Sequence, residues 1–525
     1  MKLVTVAEMQ AIEREANSLG ITYDLMMENA GQGLAGVILD EFDIYKESGI
    51  LGLVGSGNNG GDTLVALAHL AEKGWKATAY IVRPRPPDDP LVTRLLDKGG
   101  AVFQYTDDDD LTQLKELLDK NTILLDGILG TGFRLPLKSD LARCMEFIKS
   151  TITSRAFPPI VLAVDCPSGI DCDSGEVAPE CIPANFTITM AAYKRGLFIF
   201  PANLFVGDIR LVGIGLPEGG ETLNSWSSIK TFVVNAAYVR NVLPKRPPDA
   251  HKGTFGTALI VAGSLNYTGA ALLAGQTAYR IGAGLVTLAI PSLIHSALAG
   301  QLPEATWLPL PHEDGFFSPS AIDALLGNLH QATAVLIGPG FGIRDCTARF
   351  IQDFIASINQ GNKLSLNLVF DADGLKLLSK VPEWNLKLPN TAVLTPHPGE
   401  MSILTGTTKE EIQSNRVEIA LRFSHEWGHV VVLKGAYTVI ASPDGDLALI
   451  PVATPALARA GTGDVLAGAI VGLIAQGVEP FPAAICGAWL HAQAGLAASK
   501  VIGNTASVLA GDVLSAIPRV LSDVV

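Results

Sequence analysis

Apolar residues fall into short β-branched runs separated by longer stretches in which they recur at helical spacing. Runs at 49–54, 76–82, 122–126 and 159–165 predict strands in the first half; 257–262, 334–337, 367–371, 392–395 and 430–433 predict strands in the second. Strand alternating with helix implies βαβ units and largely parallel sheets, because parallel neighbours are joined only through a crossover. Two charge-free stretches, 465–478 and 481–499, depart from this rhythm. The first is too short for a bilayer, and Pro482, His491 and Gln493 interrupt the second, so both predict buried helices.

At 525 residues the chain exceeds what one hydrophobic core usually organises. Pro, Gly and charge concentrate between residues 216 and 251, in "LPEGGETLNSWSS" and "LPKRPPDAHKG". The expectation is an α/β protein of two domains, 1–225 and 226–525, each with its own glycine-rich turns at strand ends, where open α/β sheets bind ligands. Apolar residues are 48% of the chain, yet no run reads as a membrane span. With 38 Lys and Arg against 52 Asp and Glu, the net charge is −14, and no basic run offers itself to nucleic acid. The first twenty residues carry Glu8, Glu13 and Glu15 and no apolar core, so they read as neither signal nor transit peptide, and the expected location is cytoplasmic. Six cysteines without metal-ligand spacing suit a reduced compartment. An uncharged, Ala-rich surface leaves a homo-oligomer open.

The stretch "LGLVGSGNNGGDTLVA" passes from strand to helix through Gly55-Ser-Gly57-Asn-Asn-Gly60, the spacing that brings backbone N–H groups against a dinucleotide pyrophosphate. A dehydrogenase would also need an acidic residue at the end of the next strand, where "AYIVRPRPP" has Arg83 and Arg85 instead. Asp62 follows the glycines directly and would repel a pyrophosphate there; Asn58, Asn59 and Asp62 could equally be helix caps. Two more strand ends follow, "LLDGILGTGFRLP" with Asp126 and "AVDCPSGID" with Asp165 and Ser168. Asn59, Asp126, Asp165 and Ser168 would aim several oxygens at one crevice, which suits a monovalent cation or acid/base work at a ring carbon.

N-N-G-G-D at 58–62, D-G-x-L-G-T-G at 126–132 and D-x-P-S-G at 165–169 together resemble the N-terminal domain of the bifunctional NAD(P)H-hydrate repair proteins. The resemblance implies a Rossmann-like, three-layer αβα epimerase that interconverts the R and S forms of hydrated NADH and NADPH, whose nicotinamide has gained water at C6. It implies potassium on Asn59, Asp126 and Ser168. The hydrated dinucleotide would be bordered by Asn58, Asn59, Gly60, Gly61 and Asp62, and by Gly130, Thr131, Gly132, Phe133, Arg134, Leu135 and Pro136, with Asp165 in contact. Asp126 is assigned as the acid/base, with cation ligation alone as the alternative.

In the second half, "TPALARAGTGDVLAGAIVG" sets Gly461-Thr-Gly463-Asp464 at a helix start, where backbone N–H groups form an anion pocket and the carboxylate can take a proton from a hydroxyl. A glycine turn with Asp464 as a cap is the plain alternative. Companion segments are "LTPHPGE" with His397 and Glu400, "VLKGAYTVI" with Lys434 to Thr438, and "VFDADGL" with Asp371 and Asp373. Together they resemble the ribokinase-like αβα fold, and most closely its ADP- or ATP-dependent NAD(P)H-hydrate dehydratase branch. The resemblance implies adenine nucleotide on Lys434, Gly435, Ala436, Tyr437, Thr438 and Gly463, and the S hydrate on Ala270, Gly340, His397 and Asp464. "GPGFG" at 338–342 leaves open which glycine meets the ligand. Mg2+ would accompany the nucleotide phosphates, within reach of Glu400, and Asp464 would activate the C6 hydroxyl for phosphorylation. A ribokinase-like small-molecule kinase and a nucleotide-binding regulatory module are the competing readings.

Overall fold

The computed structural model describes residues 1–217, 223–360 and 366–525; part of the Pro/Gly-rich break, 218–222, lies outside the described residues. The chain divides into two compact units, Met1–Lys230 and Thr231–Val525.

In the first unit a short parallel pair, Leu3–Val4 with Tyr193–Lys194, stands apart, and the strands of the main sheet are β1 (Ile50–Val54), β2 (Ala77–Ile81), β3 (Ala101–Gln104), β4 (Ile123–Gly127), β5 (Ile160–Val164), β6 (Phe186–Met190) and β7 (Asp208–Val212). They form one parallel sheet in the order β3-β2-β1-β4-β5-β6-β7. Successive strand residues point to opposite faces, and the sheet is buried on both. Ile50, Val54 and Leu125 pack with the helices Tyr23–Phe42 and Asn58–Glu72, while Leu51, Leu53 and Leu124 pack with Thr112–Lys120 and Ser139–Thr153. The order reverses between β1 and β4, and at such a switch point adjacent strand ends open a crevice.

The second unit carries β8 (Thr231–Val233), β9 (Thr257–Val261), β10 (Leu285–Pro291), β11 (Thr306–Leu310), β12 (Ala334–Ile337), β13 (Asn367–Phe370), β14 (Val393–Leu394), β15 (Val430–Leu433), β16 (Val439–Ala441) and β17 (Leu447–Leu449). Their order is β8-β17-β16-β15-β14-β13-β12-β9-β10-β11, with β16 antiparallel to both neighbours and all other pairs parallel. Here the switch point falls between β9 and β12.

Helices again cover both faces of this sheet. The two charge-free stretches become the buried helices Thr462–Ala475 and Pro480–Ile502. No helix among the described residues is long and apolar enough to cross a membrane.

The helix Thr462–Ala475 packs against Thr268–Arg280 through glycine. A Cβ added at Gly468 would lie 2.4 Å from the carbonyl oxygen of Ala274, and one at Gly472 would lie 2.9 Å from the Cα of Ala278. Both contacts advance by four residues in the same sense, so the helices run parallel. One turn back, the same register brings Asp464 level with Ala270.

Candidate active sites

In the first unit the loops after β1, β4 and β5 enclose a cavity of about 820 Å3. Its wall includes Asn58, Asn59, Asp62, Asp165 and the whole stretch from Gly130 to Pro136, with Glu13, Met26, Met27 and Arg83 from other elements. Gly60 and Gly61 stand behind the wall. A Cβ at Gly60 would fall 2.1 Å from the Gly55 carbonyl oxygen, and one at Gly61 would meet the Met27 sulfur at 2.6 Å, so these glycines let the helix Asn58–Glu72 approach its surroundings. Of the two arginines after β2, Arg83 reaches the cavity, whereas Arg85 is held by Asp89 at 2.6 Å and the Gly55 carbonyl at 2.9 Å.

Asp126, expected to meet the dinucleotide as its acid/base, is fully buried and off the cavity wall. The Ser168 N–H donates to its Oδ2 at 2.8 Å and the Ser168 hydroxyl to its Oδ1 at 2.5 Å. Burial pushes its pKa up, and the Ser168 hydrogen bonds work against that rise. The Leu129 N–H donates to Ser168 Oγ at 2.9 Å, and the Asn59 amide donates to the carbonyls of Leu129, at 3.2 Å, and Val164. Asn59, Asp126 and Ser168 thus join with two carbonyl oxygens in one buried polar group. A Cβ at Gly130 would sit 2.4 Å from Asn59 Oδ1, so a glycine there makes room for the amide. An oxygen-rich donor set of this kind fits a hard monovalent cation.

The carboxyls that face the cavity are Asp62, Asp165 and Glu13. Burial, and after it the nearby Asp165 charge, raises Asp62 well above the usual carboxylate range; Glu13 rises for the same two reasons. A protonated Asp62 removes the charge that would repel a pyrophosphate at that helix start. Asp165 has a left-handed backbone, φ +65°, and accepts from Lys194, Thr189 and the Met190 N–H. Sequence reasoning missed Glu13 and Lys194, which lie far from the three motifs and join them only through the fold.

In the second unit the N-cap Gly461 adopts φ +90°, and the helix Thr462–Ala475 starts there with the Gly463 and Asp464 N–H groups in its open first turn. Asp464 is pushed up to about 7, by burial first and the Asp371 charge second, with Lys434 opposing. The Lys434 ammonium lies 2.6 Å from Asp371 and 3.6 Å from Glu400; burial alone would lower its pKa, but these carboxylates outweigh it and raise it. Asp371 is further fixed by the Thr395 hydroxyl at 2.6 Å, and Asp373 by the Gly342 N–H at 2.9 Å. Of the glycines in "GPGFG", Gly340 is the one against Ala270, where a Cβ would approach at 2.9 Å.

His397 has an exposed ring whose Nδ1 accepts from the Gly399 and Glu400 N–H groups, capping the helix Pro398–Thr405. Burial opposes ionisation of Glu400, but His397 and Lys434 hold it down to about 2. Lys434 therefore faces the carboxylates, while Gly435 to Thr438 form the turn beyond it, closed by the Thr438 hydroxyl donating to the Gly435 carbonyl at 2.9 Å. Ala436 and Tyr437 lie in that turn, and Tyr437 adopts φ +53°. Among the described residues no group of three His, Cys, Asp or Glu side chains is arranged to hold a metal unaided.

Residues 24–196 match the family described as YjeF-related protein N-terminus, and residues 258–519 match NAD(P)H-hydrate dehydratase. The bifunctional NAD(P)H-hydrate repair enzyme of Moorella thermoacetica is 36% identical over 528 residues, covering 99% of this chain and 97% of its own. The enzyme of the same name from Salinibacter ruber is 36% identical over 541 residues, covering 99% and 96%. Among solved structures, the ADP/ATP-dependent NAD(P)H-hydrate dehydratase of Bacillus subtilis, co-crystallized with ATP/Mg2+, is 32% identical and covers 55% of this chain and 98% of its own, with a TM-score of 0.46. Similar from end to end to relatives of a single description, this chain belongs to the family of bifunctional NAD(P)H-hydrate repair enzymes.

Proposed function

We propose that Met1–Lys230 epimerises hydrated NADH and NADPH, and that Thr231–Val525 dehydrates the S form at the expense of ADP or ATP. The observation that carries this reading is the position of Asp464, a carboxyl near neutrality at an open helix N-terminus, beside Lys434 and level with Ala270. A general base works best when its pKa is close to the working pH. Asp464 takes the proton of the C6 hydroxyl as its oxygen attacks the terminal phosphoryl group, and the bond to the nucleotide diphosphate or monophosphate breaks. The Gly463 and Asp464 N–H groups and Lys434 stabilise the charge on the phosphoryl oxygens. Phosphate then leaves C6 with the bonding electrons as C5 loses a proton, and the reduced nicotinamide is restored. Mg2+ would be held by the nucleotide phosphates with one or two carboxylates, neutralising phosphate charge, as its coordination habits favour.

In the first unit the hydroxyl departs from C6 as water, having gained a proton, and water adds to the opposite face, giving its proton to a carboxylate. The cavity carboxyls Asp62 and Asp165 would make these transfers, and Asp126 would hold potassium together with Asn59 and Ser168. That ion would supply fixed positive charge behind the cavity wall. The fused order is economical, since one unit supplies the epimer that the other consumes. The partners are small molecules, and the cytoplasm is the proposed location.

The test offers the purified chain mixed-epimer NADH hydrate with Mg2+ and either nucleotide, and follows the near-ultraviolet absorbance of NADH. Complete return is expected with at least one nucleotide. No return with either overturns the reading, and a phosphorylated dinucleotide that accumulates would favour a kinase.

A further inference from the structure

The Asp165 carboxylate is presented asymmetrically. Three donors converge on Oδ1: the Lys194 ammonium, the Thr189 hydroxyl at 3.1 Å and the Met190 N–H at 2.9 Å. No described residue donates to Oδ2, and Asp165 stands on the cavity wall. Its left-handed backbone is uncommon for a residue with a side chain and persists only where the surroundings hold it. Lys194 is 1% exposed, and its other two hydrogen bonds go to Thr189 Oγ at 3.1 Å and the Met190 carbonyl at 2.8 Å. An ammonium has three donors, and all three are engaged. Lys194 therefore does not reach the substrate, and any effect it has on chemistry passes through Asp165.

We infer that Lys194 is a positioning residue for the N-terminal reaction: it pins one oxygen of Asp165 and keeps the other turned toward C6 of the hydrated nicotinamide. The energetic reason is the company Asp165 keeps. Asp62 and Glu13 are both carboxyls on the same wall, and Lys194 opposes the rise of both, joined by Arg14 at Glu13. Without it, Asp165 would be left among like groups in a poorly solvated site, with one fewer donor on Oδ1 and free to rotate away from the cavity. This inference rests on the epimerase reading of the first unit.

The test uses the full chain with Lys194→Met, which removes the donors, and Lys194→Gln, which keeps an amide donor and loses the charge. Mixed epimers are supplied with Mg2+ and ATP, so that the fast return of NADH reports dehydration of S and the slow phase reports epimerisation. For Lys194→Met the epimerisation kcat is expected to fall by ~10²-fold, the scale of a lost acid/base contribution, with KM changed less than about threefold and the fast phase unaltered. Lys194→Gln should lie between. Wild-type kcat in Lys194→Met overturns the assignment, as does a loss expressed wholly in KM. If Lys194→Met fails to fold, Thr189→Val, which removes a second donor from the same oxygen, should lower kcat by several-fold at constant KM, and an unchanged kcat overturns the inference. A wild-type slow phase no faster than spontaneous interconversion instead overturns the epimerase reading itself, and the Lys194 assignment with it.

Discussion

Replacing Asp464 by Asn should remove turnover from the C-terminal unit and, above neutrality, make that unit harder to unfold. In an unfolded chain the carboxyl titrates near 3.8, and in the fold it titrates at about 7. Between these values the native state holds a proton that the unfolded chain has released, so the contribution of Asp464 to stability is lost as pH rises through its folded pKa. A gap of about three pH units corresponds to at most about 4 kcal/mol at pH 8, about 1–2 kcal/mol at pH 5 and almost nothing below pH 4. Asn cannot ionise, and it retains the size and much of the capping capacity of Asp. A gain of about 2–4 kcal/mol at pH 8 would raise the melting temperature of a unit of this size by roughly 5–10 °C. Calorimetry at pH 5 and pH 8 measures it, the relevant transition being the one that added ATP moves upward. Turnover should fall by ~10²-fold or more, and the wild-type rate should climb with pH up to about 7 before levelling. An Asn variant that is less stable than wild type at pH 8, or stabilised equally at both pH values, would refute the electrostatic account, and near-normal turnover would return Asp464 to the role of a helix cap.

Gly130→Ala should abolish epimerisation and leave dehydration of the S form intact, because the added Cβ lies 2.4 Å from Asn59 Oδ1; single-turnover traces with pure S and pure R hydrate separate the two effects. Asp126→Asn should give repair in two phases, the fast amplitude equal to the starting S fraction, and potassium withdrawal should mimic it; one fast phase running to completion would show Asp126 to be dispensable. Glu400→Gln should cost the C-terminal unit about 2–3 kcal/mol at pH 7, since a group held down to about 2 contributes stability above its ordinary pKa of 4.5 and loses it as pH falls toward the lower value. Melting curves from pH 7 to pH 3 should therefore converge.

Nine strands were legible because they are largely buried on both faces and read as mostly apolar runs. The strand Ala101–Gln104 lies at a sheet edge with exposed ends, so it lacks such a run. Thr187 and Thr189 interrupt Phe186–Met190 with hydroxyls that find partners only in the fold, at the Val206 carbonyl and Asp165. Several motif residues of the first unit fall on its cavity wall, since a glycine turn at a strand end needs no distant information. Division of labour among the carboxylates was not legible. Asp126 and Asp165 stand at similar strand ends in the sequence, and only the Ser168 contacts on one and the Lys194 contacts on the other distinguish an enclosed group from one at the cavity.

The glycine-mediated pairing of Thr462–Ala475 with Thr268–Arg280 makes the C-terminal site a fixed caliper. The gap between its two jaws, the helix starts at Asp464 and Ala270, is gauged by backbone against backbone at Gly468 and Gly472. Side chains can change rotamer to absorb a misfit, but main chain against main chain has no such slack. A methyl group at Gly468, one turn along the helix from Asp464, would pry the shafts apart and reset the opening at the tips. Selection for accurate chemistry at Asp464 thus extends along the helix as an upper limit on side-chain size, exerted through helix packing.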